Sequence, residues 1–224
     1  MTARSYRVGI DIGGTFTDIV VLGADGTVHT RKVSSSPEDQ ARVIVDSLRQ
    51  ILVEADLAAS DIVEILHGTT VASNAILEHT GARTGLITTR GFRDVLEIRR
   101  LRMPQLYDLE WQKPPALVER RLRLEVDERV NARGMVVVPL DEVQVEAVVD
   151  RLVADGVETI AVCLINAYAN PIHEQAIKTI ARRLAPHVPV CISAEVLPEI
   201  REYERTSTTV INCYVMPLVQ AYLE

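Results

Sequence analysis

The 224-residue chain is 47% hydrophobic and 25% charged, a balance that excludes a disordered or fibrous protein and leaves length for one large domain or one and a half small ones. Its formal net charge is -7, and its densest basic groups are only Arg99, Arg100 and Arg102, then Arg120, Arg121 and Arg123, which argues against nucleic acid or acidic membrane as a partner. No apolar run approaches a membrane span, no signal region precedes the first strand, and Cys163, Cys191 and Cys213 are far apart in apolar stretches, so buried free thiols in a cytoplasmic protein are expected.

Residues 6–34 read as three consecutive strands. Val8, Ile10 and Ile12 alternate with Arg7, Gly9 and Asp11, the period of a strand with one buried face. Gly13-Gly14 turns the chain into Ile19-Val20-Val21-Leu22, apolar on both faces, and Asp25-Gly26 is a hairpin signal leading to a third strand from Val28 to Val33. Ser36-Pro37-Glu38-Asp39 has the composition of a helix start, and Ala41, Ile44, Val45, Leu48, Ile51, Leu52 and Ala55 form its apolar stripe. A strand is expected over 62–66, then His67-Gly68-Thr69-Thr70 and a short helix to about Glu78, then a strand over 85–89. Residues 102–135 form a loop-rich excursion, rich in Pro and aromatics as far as position 120.

The remainder alternates helix and strand: a helix over 141–155, an apolar strand over 159–165 of the buried parallel kind, a helix over 172–185 and a strand over 188–192. A final helix is expected from near Pro198, with Val210, Ile211, Tyr214, Val215 and Leu218 on one face, kinked or ended by Pro217. The periodicity is still running at Glu224, which suggests a fragment of something longer. The element order suits an α/β, ribonuclease H-like domain with a mixed sheet: a three-strand antiparallel ribbon followed by parallel crossover units.

Chemistry concentrates at Asp11-Ile12-Gly13-Gly14-Thr15-Phe16-Thr17-Asp18, in the turn between the first two strands. Gly13 and Gly14 allow tight backbone and remove side chains that would hold a phosphate away; turn amides converge on an anion, and the Thr15 and Thr17 hydroxyls add hydrogen bonds. Asp11 stands where a carboxylate would hold Mg²⁺ through water, since that ion keeps much of its hydration shell. The same residues also suit a plain Gly-Gly hairpin with Thr and Asp as turn formers.

Gly9-Ile10-Asp11-Ile12-Gly13-Gly14-Thr15 resembles the first phosphate motif of the actin, sugar-kinase and heat-shock ATPase superfamily. With Phe16-Thr17-Asp18 it resembles, more narrowly, the N-terminal region of the hydantoinase A and 5-oxoprolinase family, which includes acetone and acetophenone carboxylase subunits. Two later stretches agree: His67-Gly68-Thr69-Thr70-Val71-Ala72-Ser73-Asn74-Ala75, and Glu195 to Glu199 with Arg201-Glu202-Tyr203-Glu204-Arg205-Thr206-Ser207. The resemblance spans nearly the whole chain, 1–224, as one ATPase-type region.

The resemblance implies an ATP- and Mg²⁺-using enzyme part, in which ATP phosphorylates the carbonyl oxygen of a lactam or hydantoin so that water opens the ring. A second subunit or region of the hydantoinase B type is the implied partner, and a small cyclic amide or ketone the substrate. Asp11 would be the catalytic, metal-side carboxylate, and Gly13, Gly14, Thr15, Thr17, Thr69 and Thr70 would bind phosphate. His67 and Asn74 would face substrate, although Thr69 also suits a helix cap and His67 a core histidine. Arg201 and Arg205, four residues apart, read as a solvated, salt-bridged helix face. Arg99, Arg100, Arg102 and Tyr107-Asp108-Leu109 suit either an exposed loop or a substrate or partner surface. The alternatives are a beta-type subunit of a ketone carboxylase, a non-catalytic nucleotide- or partner-binding module, and a sugar-kinase-like phosphotransferase. No second Gly-rich loop follows, since Gly156 is the only glycine after Gly134. Half of a nucleotide site is therefore expected in this chain.

Overall fold

Strand β1 (Tyr6–Ile12) buries Tyr6, Val8, Ile10 and Ile12 and turns its other residues outward, as its alternation requires. It pairs antiparallel with β2 (Phe16–Gly23), which pairs antiparallel with β3 (Val28–Ser34) through a turn in which Gly26 takes φ +88°, a conformation that favours glycine. In the computed structural model, which describes residues 5–35, 40–100, 107, 108 and 110–223, the expected helix start at 36–39 lies outside the described residues. Helix α1 (Gln40–Glu54) buries Ser47, Ile51 and Leu52, while Val45 of the expected stripe is exposed. Strand β4 (Ile62–Thr69) runs parallel to β1, giving the order β3-β2-β1-β4, and α2 (Val71–Glu78) follows. The second strand is covered on one face only: Ile19 and Val21 are buried, Val20 and Leu22 exposed.

The chain divides into two compact units, residues 1–78 and 79–224. In the second, β5 (Thr84–Thr89) is buried at every position. After it come α3 (Val95–Ile98), β6 (Arg123–Val126), the short pair β7 (Arg129–Val130) and β8 (Val136–Val138), α4 (Glu142–Ala154), β9 (Thr159–Cys163), α5 (Ile172–Leu184), β10 (Val190–Ile192), α6 (Ser193–Val196) and α7 (Glu202–Leu223). The parallel strands form their own sheet, in the order β10-β9-β5-β6, rather than extending the first. The fold is thus α/β, with a mixed sheet begun by the antiparallel ribbon and a second, parallel sheet built from crossovers. Its hydrophobic core includes Leu86, Ile87, Val145, Val149, Leu152, Ile160, Val162, Ile177 and Ile192.

Several details depart from the sequence reading. Strand β6 lies inside the expected excursion, and Arg123 of its basic group is buried, with Nε donating to the Val118 carbonyl at 3.0 Å. Helix α7 runs through Pro217 to Leu223. Arg205 is not on a solvated face. It is 1% exposed, donating to the carbonyls of Glu199 at 2.9 Å and Leu164 at 2.6 Å, with its guanidinium carbon 5.6 Å from the centre of the Tyr168 ring. The i,i+4 spacing with Arg201 implies a shared surface stripe, yet the buried stripe of α7 is Arg205, Thr206, Thr209, Val210, Cys213 and Tyr214, and Arg201 stays exposed. All three cysteines are free and buried, as expected. Among the described residues no helix is long and apolar enough to cross a membrane.

Candidate functional site

The register of the first sheet sets Asp11 level with Asp18 on one neighbour and Gly68 on the other, and Ile12 level with Thr17 and Thr69. The β1–β2 turn and the start of α2 therefore stand side by side at the carboxyl end of β1. A recess of about 420 Å³ opens there, lined by Gly9, Asp11, Asp18, Val20, His67 and Gly68.

The turn is anchored through its carbonyls. Gly13 N–H donates to the Phe16 carbonyl at 2.9 Å, the Ser35 hydroxyl donates to the Gly13 carbonyl at 2.8 Å, and the Ser35 amide donates to the Thr15 carbonyl at 2.9 Å. The amides of Gly14 and Thr15 have no acceptor among the described residues. On the α2 side, the Thr70 amide and hydroxyl both donate to the Ile12 carbonyl, at 3.1 and 3.3 Å, and Asn74 Nδ2 donates to the Thr70 hydroxyl at 3.2 Å. A Cβ on Gly14 would meet that same Asn74 nitrogen at 2.9 Å. A side chain at position 14 would therefore have to displace the Asn74 amide.

Of the expected site residues, Asp11 is exposed and has no ion-pair or hydrogen-bond partner among the described residues. Asp18, by contrast, is neutralised by Lys32 at 2.9 Å. Thr15 is exposed, whereas the Thr17 hydroxyl is buried and shared with Ser35 at 2.9 Å, so it is spent on the turn. Thr69 ends β4 and accepts from the Val71 amide at 3.2 Å, a local turn at the strand-to-helix junction, while Thr70, whose carbonyl accepts from the Asn74 amide at 2.8 Å, stands at the N-cap of α2. Thr70 ties the start of α2 to β1, Asn74 bonds back to Thr70, and His67 lines the recess. Sequence reasoning does not find Ser35, which lies twenty-two residues from Gly13; only the pairing of Phe16 with Ser34 brings it to the turn. In the second unit, Arg100 is paired with Glu204 at 2.6 Å and Tyr107 is exposed; Arg102 and Leu109 lie outside the described residues.

Two unbonded amides, an exposed hydroxyl and one unpaired carboxylate leave this turn with donors and a negative charge that the fold itself does not use. Among the described residues no three His, Cys, Asp or Glu side chains converge as a metal cage. A lone carboxylate still fits Mg²⁺, which binds through one or two carboxylates, retained waters and substrate phosphates.

A glycine turn with free amides beside a carboxylate, at the end of the first strand of an antiparallel ribbon, defines a class of α/β domains. Within that class the chain belongs to the hydantoinase/oxoprolinase family: residues 7–185 match its N-terminal region. It is 38% identical over 230 residues to caprolactamase subunit alpha of Pseudomonas jessenii, covering 100% of this chain and 33% of that one. The crystal structure of ATP-dependent caprolactamase from the same organism superimposes with a TM-score of 0.87, at 38% identity over 97% of this chain and 32% of that chain. The nucleotide-free structure of acetone carboxylase, from work on ATP-dependent acetone carboxylation, gives a TM-score of 0.90 at 26% identity, covering 97% of this chain and 33% of that chain. The chain thus spans about a third of the length of each of these proteins.

Proposed function

We propose that this chain is the N-terminal, phosphate-binding part of an ATP-dependent hydrolase acting on cyclic amides. The observation that carries the reading is the pair of unbonded amides at Gly14 and Thr15 beside the unpaired carboxylate of Asp11. An amide carbonyl resists water because resonance makes it a poor electrophile, and phosphoryl transfer from ATP to its oxygen relieves that resistance. In such transfers the protein contributes mainly position and charge compensation. The Gly14 and Thr15 amides would receive phosphate oxygens, the Thr15 hydroxyl would add a donor, and Asp11 would hold hydrated Mg²⁺ over them. Thr70 and Asn74 act one step back, fixing the approach of α2 to the turn. His67, at the recess wall, would face substrate. The ring-opening half is assigned to a second subunit or region of the hydantoinase B type. The likeness to acetone carboxylase supports a second substrate reading, a ketone activated as its enolate by the same cradle.

The test is Asp11→Asn in the full-length protein carrying this region. ATP hydrolysis coupled to lactam opening is expected to fall at least about a hundredfold, with far-UV circular dichroism unchanged because the Asp11 side chain is exposed and holds no hydrogen bond among the described residues. Wild-type turnover in that variant would reduce Asp11 to a turn former. Cleavage of neither lactam nor hydantoin by the wild type, alongside ATP-dependent carboxylation of a ketone, would select the second substrate.

A further inference from the structure

The parallel sheet of the second unit has a topological switch point. Its chain leaves β5 toward β6 on one side and leaves β9 toward β10 on the other, with β5 and β9 adjacent. Open α/β sheets bind ligands in the crevice beyond the carboxyl ends of their strands at such points. The first turns of α7 lie at that end, since Arg205 donates to the Leu164 carbonyl and Thr206 to the Cys163 sulfur. Facing them, α3 is the helix that follows β5, and the two are in contact.

Between α3 and α7 is a small cavity of about 90 Å³, lined by Leu96, Arg99, Ala116, Tyr203, Ser207 and Val210. That is the volume of roughly three water molecules, enough for a small oxyanion and too little for a nucleotide. Tyr203 and Ser207, one helical turn apart on one face of α7, both line the cavity, and neither side chain has a hydrogen-bond partner among the described residues. Arg99 places one guanidinium nitrogen on the Pro114 carbonyl and has no carboxylate partner among the described residues; its neighbour Arg100 takes up Glu204. The Arg99 backbone adopts φ 56° and ψ -136°, a conformation that a residue with a side chain holds only when its surroundings enforce it.

We propose that this cavity is a binding site for a small oxyanion, a carboxylate or an inorganic oxyanion, gripped by the Arg99 guanidinium and by hydrogen bonds from Tyr203 and Ser207. The site is separate from the Asp11–Thr15 cradle and stands whether or not the proposed reaction is correct. It also gives the Tyr203–Ser207 stretch a use that the phosphate cradle leaves open. An uncharged ligand of this size would leave the guanidinium without a counter-charge; an oxyanion matches its fork and both hydroxyls.

The experiment is a titration of the 224-residue chain, labelled with nitrogen-15, with sodium acetate and separately with sodium phosphate at constant ionic strength, following the amide signals of residues 99, 203 and 207. Saturable shifts with millimolar midpoints are expected from at least one of them. A response to acetate alone identifies a carboxylate site, and a response to phosphate alone an inorganic-oxyanion site. Arg99→Gln and the double variant Tyr203→Phe, Ser207→Ala should each weaken the midpoint about tenfold or more, while a Gly14→Ala variant, altered only in the other cradle, should leave it unchanged. The double variant removes two oxygens and no packing atoms, so it keeps the fold if Arg99→Gln does not. No saturable shift with either anion, or midpoints unchanged in the double variant, overturns the proposal.

Discussion

Arg205 offers the sharpest test of how this fold is held. Truncation to alanine removes a buried cation that donates to the Leu164 and Glu199 carbonyls and packs over Tyr168. Hydrogen bonds from a charged group contribute about 1.5–3 kcal/mol each, and both carbonyls would be left without that donor. Losing two such bonds puts the expected cost of Arg205→Ala at about 3–5 kcal/mol. A solvated arginine in an i,i+4 pair would be worth only about 0.3–0.5 kcal/mol, an order of magnitude less. Arg201→Ala, on the exposed side of the same segment, serves as the control and should fall within about 0.5 kcal/mol of the wild type. Arg205→Met refills part of the volume but restores neither hydrogen bond, so it should recover only part of the loss. The assay is urea unfolding followed by the fluorescence of Trp111, the single tryptophan, which lies in the same unit as Arg205. A cost below about 1 kcal/mol for Arg205→Ala would refute the reasoning, because charged donation to the buried Leu164 carbonyl alone is worth more than that.

Other outcomes follow from the same geometry. Gly14→Ala sets a methyl against Asn74 Nδ2 and should weaken Mg-ATP binding by the full-length protein about tenfold, measured by calorimetry. The 224-residue chain alone, a third of the length of its relatives, should bind Mg-ATP more weakly than micromolar; micromolar binding would place the whole nucleotide site within these residues. Burial pushes the Glu174 carboxyl up from its ordinary value of 4.5, against the pull of Ser193, the Leu164 and Ala194 amides and Arg205. The folded chain therefore holds that proton where the unfolded chain has lost it. Stability should fall as pH rises from 4.5 through the folded value, and Glu174→Gln should flatten that fall in urea melts across the window. Gly81→Ala would drive a methyl into the Tyr214 ring and should cost about 1–3 kcal/mol by the same unfolding assay.

The turn between β1 and β2 is legible in the amino-acid sequence because its information is local. Alternation in β1, the Gly13-Gly14 turn and the Asp25-Gly26 hairpin all act within about one strand length, where backbone sterics and face periodicity decide the outcome. The helices α2, α4 and α5 are equally legible from their periodicity. Tertiary structure alone decided that the parallel strands form a second sheet, because an all-buried strand such as β5 announces burial on both faces but not the identity of its neighbours. It also decided the role of Ser35, which reaches Gly13 only through the register of β2 and β3, and it took the Thr17 hydroxyl away from any ligand by pairing it there. Arg205 shows the reason most plainly. A charged side chain on a helix reads as solvated until a carbonyl such as that of Leu164, forty-one residues back along the chain, is folded against it. Helical spacing records which residues share a face, and the burial of that face depends on contacts that spacing does not encode.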